Sequence, residues 1–542
     1  MKLLDLIKNK NGSRKISVIT GILSSYANLL ISIVNGLVLI PFYLKFFDST
    51  LYGAWIATAG MVSMFALLEG GVNQIITQKL AKSYARKSSS SFKLIFSTGI
   101  LINIVVFITI ILIGFILSKI FPNVINIPKE NHNILSKAII LATLGSAFTV
   151  FQGVLFSPFY AWQKVFVVAI VAMATSISAI LVNIICLYSG LGVLSLSVSI
   201  LFNGFSGFCL SLILVKKQMD LRYGKQWLII HKGHILVILK KSLPLYLNKI
   251  FTTVANNIEP ILIAYFVNPT AVVVYTMTSK LLSVASSLIN PIAGSIIGSA
   301  SHLFSESNNE KKDNVVKTIV TIQAFITITI LTLVVTLNKD FIDLWLGEKF
   351  YGGELLTFLF ALQILVQTRL NLFSSLIQST GDFKTTSIYD IFANGSRILI
   401  SLLILKYLAI SFLPLASIVS IFLLAFIYYP HKLGQSLKQK NIKYYGLNFI
   451  LMGFFLNVIF INSNLILDIV LVHLPFTFNT MTHYLPSSFV NLVAYLPSTF
   501  SNGSVLILKA IIVFLTNMIL FYLFSRKFRT RLNQLIKPNV EF

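Results

Sequence analysis

The chain is a succession of long apolar runs separated by short polar stretches. Fourteen runs can be drawn, at about 16–46, 51–78, 94–121, 134–159, 165–188, 191–215, 243–266, 270–303, 314–338, 353–379, 386–405, 409–430, 445–467 and 504–525. Each is close to or above the ~20 residues that carry a helix across a hydrocarbon core. The composition agrees: 56% of the 542 residues are hydrophobic and only 11% charged, where a soluble domain carries about a quarter. The predicted fold class is an all-α polytopic membrane protein of about 14 transmembrane helices. The run from Ile16 to Phe47 is too long for the apolar part of a signal peptide and has no small-residue cleavage site, so no cleavable leader is expected.

The net charge of +26 would suggest nucleic acid in a soluble protein. Here it reads as topology. Of the 43 basic residues, 31 fall in one alternating set of loops, including the cluster from Lys216 to Lys241 and the tail from Arg526 to Lys537. The opposite loops hold only Lys45, Lys119, Lys129, Lys137, Lys339, Lys349 and Lys406. Cytoplasmic loops carry the Lys/Arg excess, so both termini are expected in the cytoplasm and the number of spans is even. The same charge attracts anionic lipid heads, and no nucleic-acid partner is expected. Cys186 and Cys209 lie inside apolar runs and read as small buried hydrophobes rather than a disulfide or metal pair.

The end of the first span, "PFYLKFFDSTLYGAW" (Pro41–Trp55), has a counterpart in "PILIAYFVNPTAVVVY" (Pro260–Tyr275). The distance from proline to phenylalanine is the same in both copies. Repeats of one orientation imply two lobes related by an axis along the membrane normal. The predicted division is an N-terminal lobe at 1–215, a cytoplasmic loop at 216–242, a C-terminal lobe at 243–431, and two added spans at 432–542. Two lobes flanking a cleft suit alternating access. Pro41, Pro260 and Pro291 are expected to kink their helices, because proline removes a backbone donor and clashes with the carbonyl four residues back. Such kinks fit best beside a polar cavity.

Three stretches resemble one family. "LIPFYLKFFDSTLYGAWIATAGMVSMFALLEGGVNQ" (Leu39–Gln74), "NNIEPILIAYFVNPTAVVVYTMTSKL" (Asn256–Leu281) and "FIDLWLGEKF" (Phe341–Phe350) occur in the family's order. Together they resemble the Wzx-type polysaccharide and O-antigen repeat-unit flippases of the multidrug/oligosaccharidyl-lipid/polysaccharide exporter superfamily. The resemblance covers about Ile16 to His431 and fades over the last hundred residues. It implies movement of undecaprenyl-pyrophosphate-linked oligosaccharide units between the leaflets of a bacterial cytoplasmic membrane. Membrane lipids are implied neighbours, and a polysaccharide polymerase and a chain-length regulator are further partners.

Ionisable residues inside spans are expensive and mark cavities or pathways. Glu69 falls in the inner third of span 2, Glu259 in the outer third of span 7, and Arg369 in the inner third of span 10. Lys280 and Arg397 lie near mid-depth, with Asp390 two turns before Arg397 on the same face. A translocated pyrophosphate needs cations in a low-dielectric cleft, which selects Lys280, Arg369 and Arg397. Glu69, Glu259 and Asp390 are candidates for a coupling proton or Na⁺, or for counter-charge. The blander readings are a structural pair of Asp390 with Arg397, a polar cluster of Glu69 with Asn73 and Gln74, and snorkelling by Lys249 and Lys509. Asn256, Asn257 and Gln74 head the residues placed to meet sugar hydroxyls, followed by Asn28, Asn35, Asn183, Gln363, Gln367 and Gln378; many of these amides will merely bridge helices.

No phosphate-binding Walker motif, catalytic Ser/His/Asp or Cys/His spacing, or metal-ligand cluster is present in the sequence, so no enzyme activity, cofactor or metal is expected. A cation-coupled drug antiporter of the same superfamily is the first alternative. A cation-rich cleft argues against it. A membrane polymerase or ligase is the second, and its expected arginine-bearing outer loop is missing. The outer loop 468–503 instead has no Lys or Arg and repeats "HLPFTF", "YLPSSF" and "YLPSTF", with Pro475, Pro486 and Pro497 evenly spaced. This is either a tandem duplication without a dedicated role or an aromatic platform in the outer interface. Deleting 474–502 and measuring export separates the two: unchanged export supports the duplication, and lost export the platform.

Overall fold

The computed structural model describes residues 35–125, 127–224, 233–305 and 309–437, with a few isolated positions before 35. Outside the described residues lie most of the first half of span 1, Asn28, part of the 216–242 loop, spans 13 and 14, Lys509 and the proline repeat. No strand occurs among the described residues.

The helices follow the hydrophobic pattern. They are α1 (Asn35–Phe46), α2 (Ser49–Ser63), α3 (Val72–Ala85), α4 (Ser89–Val124), α5 (His132–Ala161), α6 (Val165–Tyr188), α7 (Leu194–Tyr223) and α8 (Gly233–Phe266). Then come α9 (Pro269–Thr278), α10 (Lys280–Ser305), α11 (Asn309–Trp345), α12 (Glu354–Ser379), α13 (Phe383–Tyr407), α14 (Pro414–Leu423) and α15 (Tyr429–Leu437). A single π turn, Leu424–Tyr428, joins the last two. Spans 3 to 7 and 9 to 12 coincide with these helices to within a few residues at most ends, and α8 starts about ten residues earlier than its span. Asp48 caps α2 by accepting the Thr50 N–H at 3.0 Å, and the hydrogen bonding of Thr50 holds its carboxyl below the usual carboxylate range.

Two segments expected to be continuous spans are broken. Span 2 winds through a 3₁₀ turn at Met64–Leu67 and unwinds at Leu68–Gly71 before α3 begins. Gly70 and Gly71 adopt φ of +61° and +70°, a conformation that costs an L side chain ~1–2 kcal/mol and glycine almost nothing. Span 8 bends by 47° between α9 and α10. Its freed Thr278 carbonyl accepts the Asn338 side-chain amide at 3.0 Å, and the Thr278 hydroxyl accepts the Gly352 N–H at 2.8 Å. Unwound backbone at membrane depth survives only with partners of this kind. The helices run through Pro41, Pro260 and Pro291 without a break, so both interruptions arise elsewhere.

Packing groups the described residues into two compact units. The first runs to Val273 and adds Ser387–Ile410; the second comprises Val274–Thr386 and the residues from Ser411. This division cuts across chain order, since α8 and most of α13 fall in the first unit. In that unit, Phe92, Phe96, Phe159, Ile76 and Leu80 are fully buried in one core, with the Trp162 ring stacked 5.7 Å from Phe92. Glycines set the helix spacing. A Cβ at Gly204 of α7 would strike the Gly145 carbonyl of α5. On α2, a Cβ at Gly53 would strike the Pro269 carbonyl, and one at Gly60 would come within 2.8 Å of the Asn257 carbonyl of α8. Small residues permit such backbone approach in membranes, where no hydrophobic drive joins helices. Val105, Leu112, Phe115 and Ile116 of α4 stay exposed, as suits a lipid-facing side. Gly53→Val is expected to force α2 from its seat at a cost of about 1–3 kcal/mol, read as a lowered thermal midpoint in detergent. Gly395→Ala, where the added Cβ would make only ordinary contact with the Phe251 ring at 3.5 Å, is expected to fall well short of it.

Candidate functional site

The first unit holds two charge clusters, both built on α8. At the unwound Leu68–Gly71 segment, Glu69 serves two partners. Its Oε1 accepts the Asn73 N–H at 2.8 Å, capping the first turn of α3, and its Oε2 meets Lys249 Nζ of α8 at 2.8 Å. Lys249 was expected to snorkel to the interface; instead its ammonium turns to this carboxylate, with 35% of the side chain exposed against 14% for Glu69. The polar cluster around Glu69 extends through Asn73, whose Oδ1 accepts from Asn103 of α4 at 2.9 Å. Gln74 lies on the exposed side.

Nearly three turns further along α8, Glu259 is 7% exposed. Its Oε1 accepts Nη2 of Arg397 at 2.6 Å and Nε at 3.2 Å. Arg397 Nη1 donates to Oδ1 of the exposed Asn256 at 3.1 Å. The hydrogen bonds described for Arg397 thus run from α13 to α8. Asp390 sits two turns back, ~10 Å along the axis, where its carbonyl accepts the Asn394 amide at 2.8 Å. Asn257 accepts the Ser63 hydroxyl of α2 at 2.7 Å. Two charges moved out of water cost several kcal/mol each unless their geometry is good and their remaining valences are met, and the Glu259–Arg397–Asn256 arrangement supplies both.

The second unit treats its cations differently. Arg369 of α12 is 4% exposed, with its guanidinium carbon 4.9 Å from the Phe373 ring and 4.9 Å from the Phe426 ring. Phe426 lies in the π turn, a feature the sequence pattern did not signal. Cation–π contact with two rings seats the Arg369 guanidinium inside the packing of this unit. Lys280 is half-buried as the first residue of α10. Its ammonium has no ion-pair or hydrogen-bond partner among the described residues. A lysine in the first turn also opposes the helix dipole. Among the described residues nothing offsets its charge.

Several candidate amides bond other side chains. Asn183 is buried and donates to the Tyr43 hydroxyl at 2.5 Å. Gln363 donates to Ser417 of α14 at 3.2 Å, and Gln378 to Ser374 at 3.2 Å. Gln367 donates to Asn371 at 2.9 Å, which in turn donates to Asn290 of α10 at 3.1 Å. Sequence reasoning passed over Asn290 and Asn371, although both lie one or two turns from other polar residues on their helices. Among the described residues no His/Cys/Asp/Glu group could hold a metal ion.

These features define the class: an all-helical, multi-span membrane protein with broken spans and charge clusters at membrane depth. The polysaccharide biosynthesis protein family model matches residues 15–297, more than half of the chain, and the chain belongs to that family. Solved membrane-protein structures share its fold. It is similar to an inward-facing multidrug resistance MATE family transporter of the MOP superfamily, with a TM-score of 0.60 at 13% identity over 76% of this chain and 95% of that one. An outward-facing MATE structure gives 0.54 at 13%, covering 79% and 98%. A MOP superfamily transporter from Pyrococcus furiosus, described as having a binding pocket of reverse polarity, gives 0.55 at 12%, covering 80% and 98%. No curated protein matches the chain at a significant level.

The Glu259–Arg397 pair yields a direct test. Arg397→Gln alone leaves a buried uncompensated carboxylate and is expected to cost about 3–5 kcal/mol. The double variant Glu259→Gln/Arg397→Gln is expected to regain most of that. Thermal unfolding of the purified single and double variants checks it, and additive losses exclude coupling between the two side chains.

Proposed function

We propose that this protein flips undecaprenyl-pyrophosphate-linked oligosaccharide units from the inner to the outer leaflet of a bacterial cytoplasmic membrane, by alternating access, for surface polysaccharide such as O-antigen. Lys280 carries the reading: a half-buried ammonium at membrane depth without an acid beside it among the described residues. Such a charge persists in lipid only if a ligand or water answers it. A pyrophosphate is the ligand that the family's polysaccharide chemistry supplies. A cationic drug would be repelled there, which speaks against a multidrug role. In this reading Lys280 holds the pyrophosphate, Arg369 stiffens the fold, and Glu259 is counter-charge to Arg397.

The two acids differ in what a coupling ion would do. A proton or Na⁺ at Glu69 would displace Lys249 and loosen the contact of the broken span with α8. We therefore assign coupling to Glu69 rather than to Glu259, whose carboxylate takes two bonds from one guanidinium. The protein needs no nucleotide engine of its own in this scheme. Its products would pass to a polymerase and a chain-length regulator on the outer side.

Deleting the gene is expected to abolish surface polysaccharide and to accumulate single lipid-linked units on the inner leaflet. Normal surface polysaccharide in the deletion strain sinks the reading. In the complemented strain, Lys280→Ala is expected to abolish export at normal protein levels. Lys280→Arg should keep a substantial fraction. Lys406→Ala, at the end of α13 with its ammonium over the Tyr407 ring, should leave export unchanged.

A further inference from the structure

The polar residues that continue from Lys280 form a pattern of their own. At 3.6 residues per turn, Lys280, Ser283, Ser287 and Asn290 of α10 fall within about 80° of arc and span ~15 Å of helix. Ser283 and Ser287 carry hydroxyls whose hydrogens point back along the helix, to the Lys280 carbonyl at 2.7 Å and the Ser283 carbonyl at 2.9 Å. Their oxygen lone pairs remain open to accept. Asn290 donates to Ser286 at 2.9 Å and accepts from Asn371 of α12 at 3.1 Å. Asn371 accepts from Gln367 at 2.9 Å. Ser283 is exposed, and Ser287, Asn290, Asn371 and Gln367 are partly exposed.

The hydrogen-bond arithmetic leaves capacity on this surface. Each side-chain amide has two donors and two lone pairs. The chain Gln367–Asn371–Asn290–Ser286 uses one donor from each amide, so among the described residues each keeps a second N–H. Gln367 keeps its Oε1 as well. Open donors and acceptors alternate along a span that also crosses a membrane, where unanswered polar groups cost several kcal/mol each. Apart from Lys280 the stripe carries no charge. A phosphate would gain little beyond Lys280, whereas a polyhydroxylated chain, with hydroxyls that both donate and accept, would match the alternation.

We infer that the Ser283–Ser287–Asn290 face of α10, with Asn371 and Gln367 of α12, is a neutral glycan track that begins at Lys280. The pyrophosphate sits at the lysine and the sugars lie along the amides and hydroxyls. This rests on the flipping reading above and deepens it: the track sets how long a glycan is favoured, while Lys280 sets only that a phosphate is present. The ~15 Å of polar face exceeds one sugar, so the benefit grows with chain length.

The test uses the full chain in proteoliposomes and two probes, a polyprenyl pyrophosphate bearing a single hexose and one bearing a linear tetrasaccharide. Ser283→Ala/Ser287→Ala removes acceptors whose protein bonds are only to their own helix, so the fold is expected to hold. Movement of the tetrasaccharide probe should fall about tenfold, the loss expected of one to two hydrogen bonds, with the single-hexose probe within twofold of the unaltered protein. Asn371→Leu should show the same selectivity on top of any loss of stability. Lys280→Ala should lower both probes alike. Equal loss on both probes in the serine variant, or no loss on either, overturns the track. If the unaltered protein moves neither probe, the flipping reading itself fails.

Discussion

Everything in this molecule depends on one constraint: a polar or charged group at membrane depth must find a partner, because lipid supplies none. The Glu259–Arg397 pair is its clearest expression. One carboxylate oxygen takes two bonds from a guanidinium, and the guanidinium's remaining face is met by Asn256. The pair ties α8 to α13, the Glu69–Lys249 bond ties it to the broken span, and Gly60 lets α2 approach it closely. A helix with a lysine, two asparagines, a glutamate and a proline is tolerated in the bilayer because each group has been given something to hold.

The same constraint explains the breaks. Unwinding at Leu68–Gly71 frees backbone groups, and Glu69 returns to cap one of them while bonding Lys249. The bend at Ser279 frees the Thr278 carbonyl, and Asn338 caps it. Both interruptions fall in the helix that follows the repeated hairpin motif of each half of the sequence. Interrupted spans at matching places in two halves are a pointer to where a transporter handles its cargo. The polar matter of the second unit, from Lys280 along α10 and across to α12, starts at one of these breaks.

Much of the site's logic lies in contrasts between groups of the same kind. Of three basic residues that charge chemistry selects, Arg397 is neutralised by an acid, Arg369 is enclosed by two phenyl rings, and Lys280 is left with neither. Only the last presents an unspent charge. Among the amides, Asn183 meets Tyr43 and Gln363 meets Ser417, while Gln367, Asn371 and Asn290 are linked in one chain.

Hydrophobic runs alone located the described helices, because a span must be apolar over its whole length. The loop distribution of Lys and Arg and the repeated Pro41 and Pro260 motifs are features of the sequence itself. What the sequence left open was pairing. Lys249 reads as an interfacial lysine until α3 and α8 are placed side by side, and Asp390 reads as the natural partner of Arg397 until α8 is seen to present Glu259. Gly70–Gly71 was visible as letters, yet an unbroken apolar run concealed that the helix stops there. Helical periodicity fixes which residues share a face, over a range of a few turns. Only the packing of helices that are distant in sequence decides which charge is answered, which is enclosed, and which, like Lys280, meets no partner among the described residues.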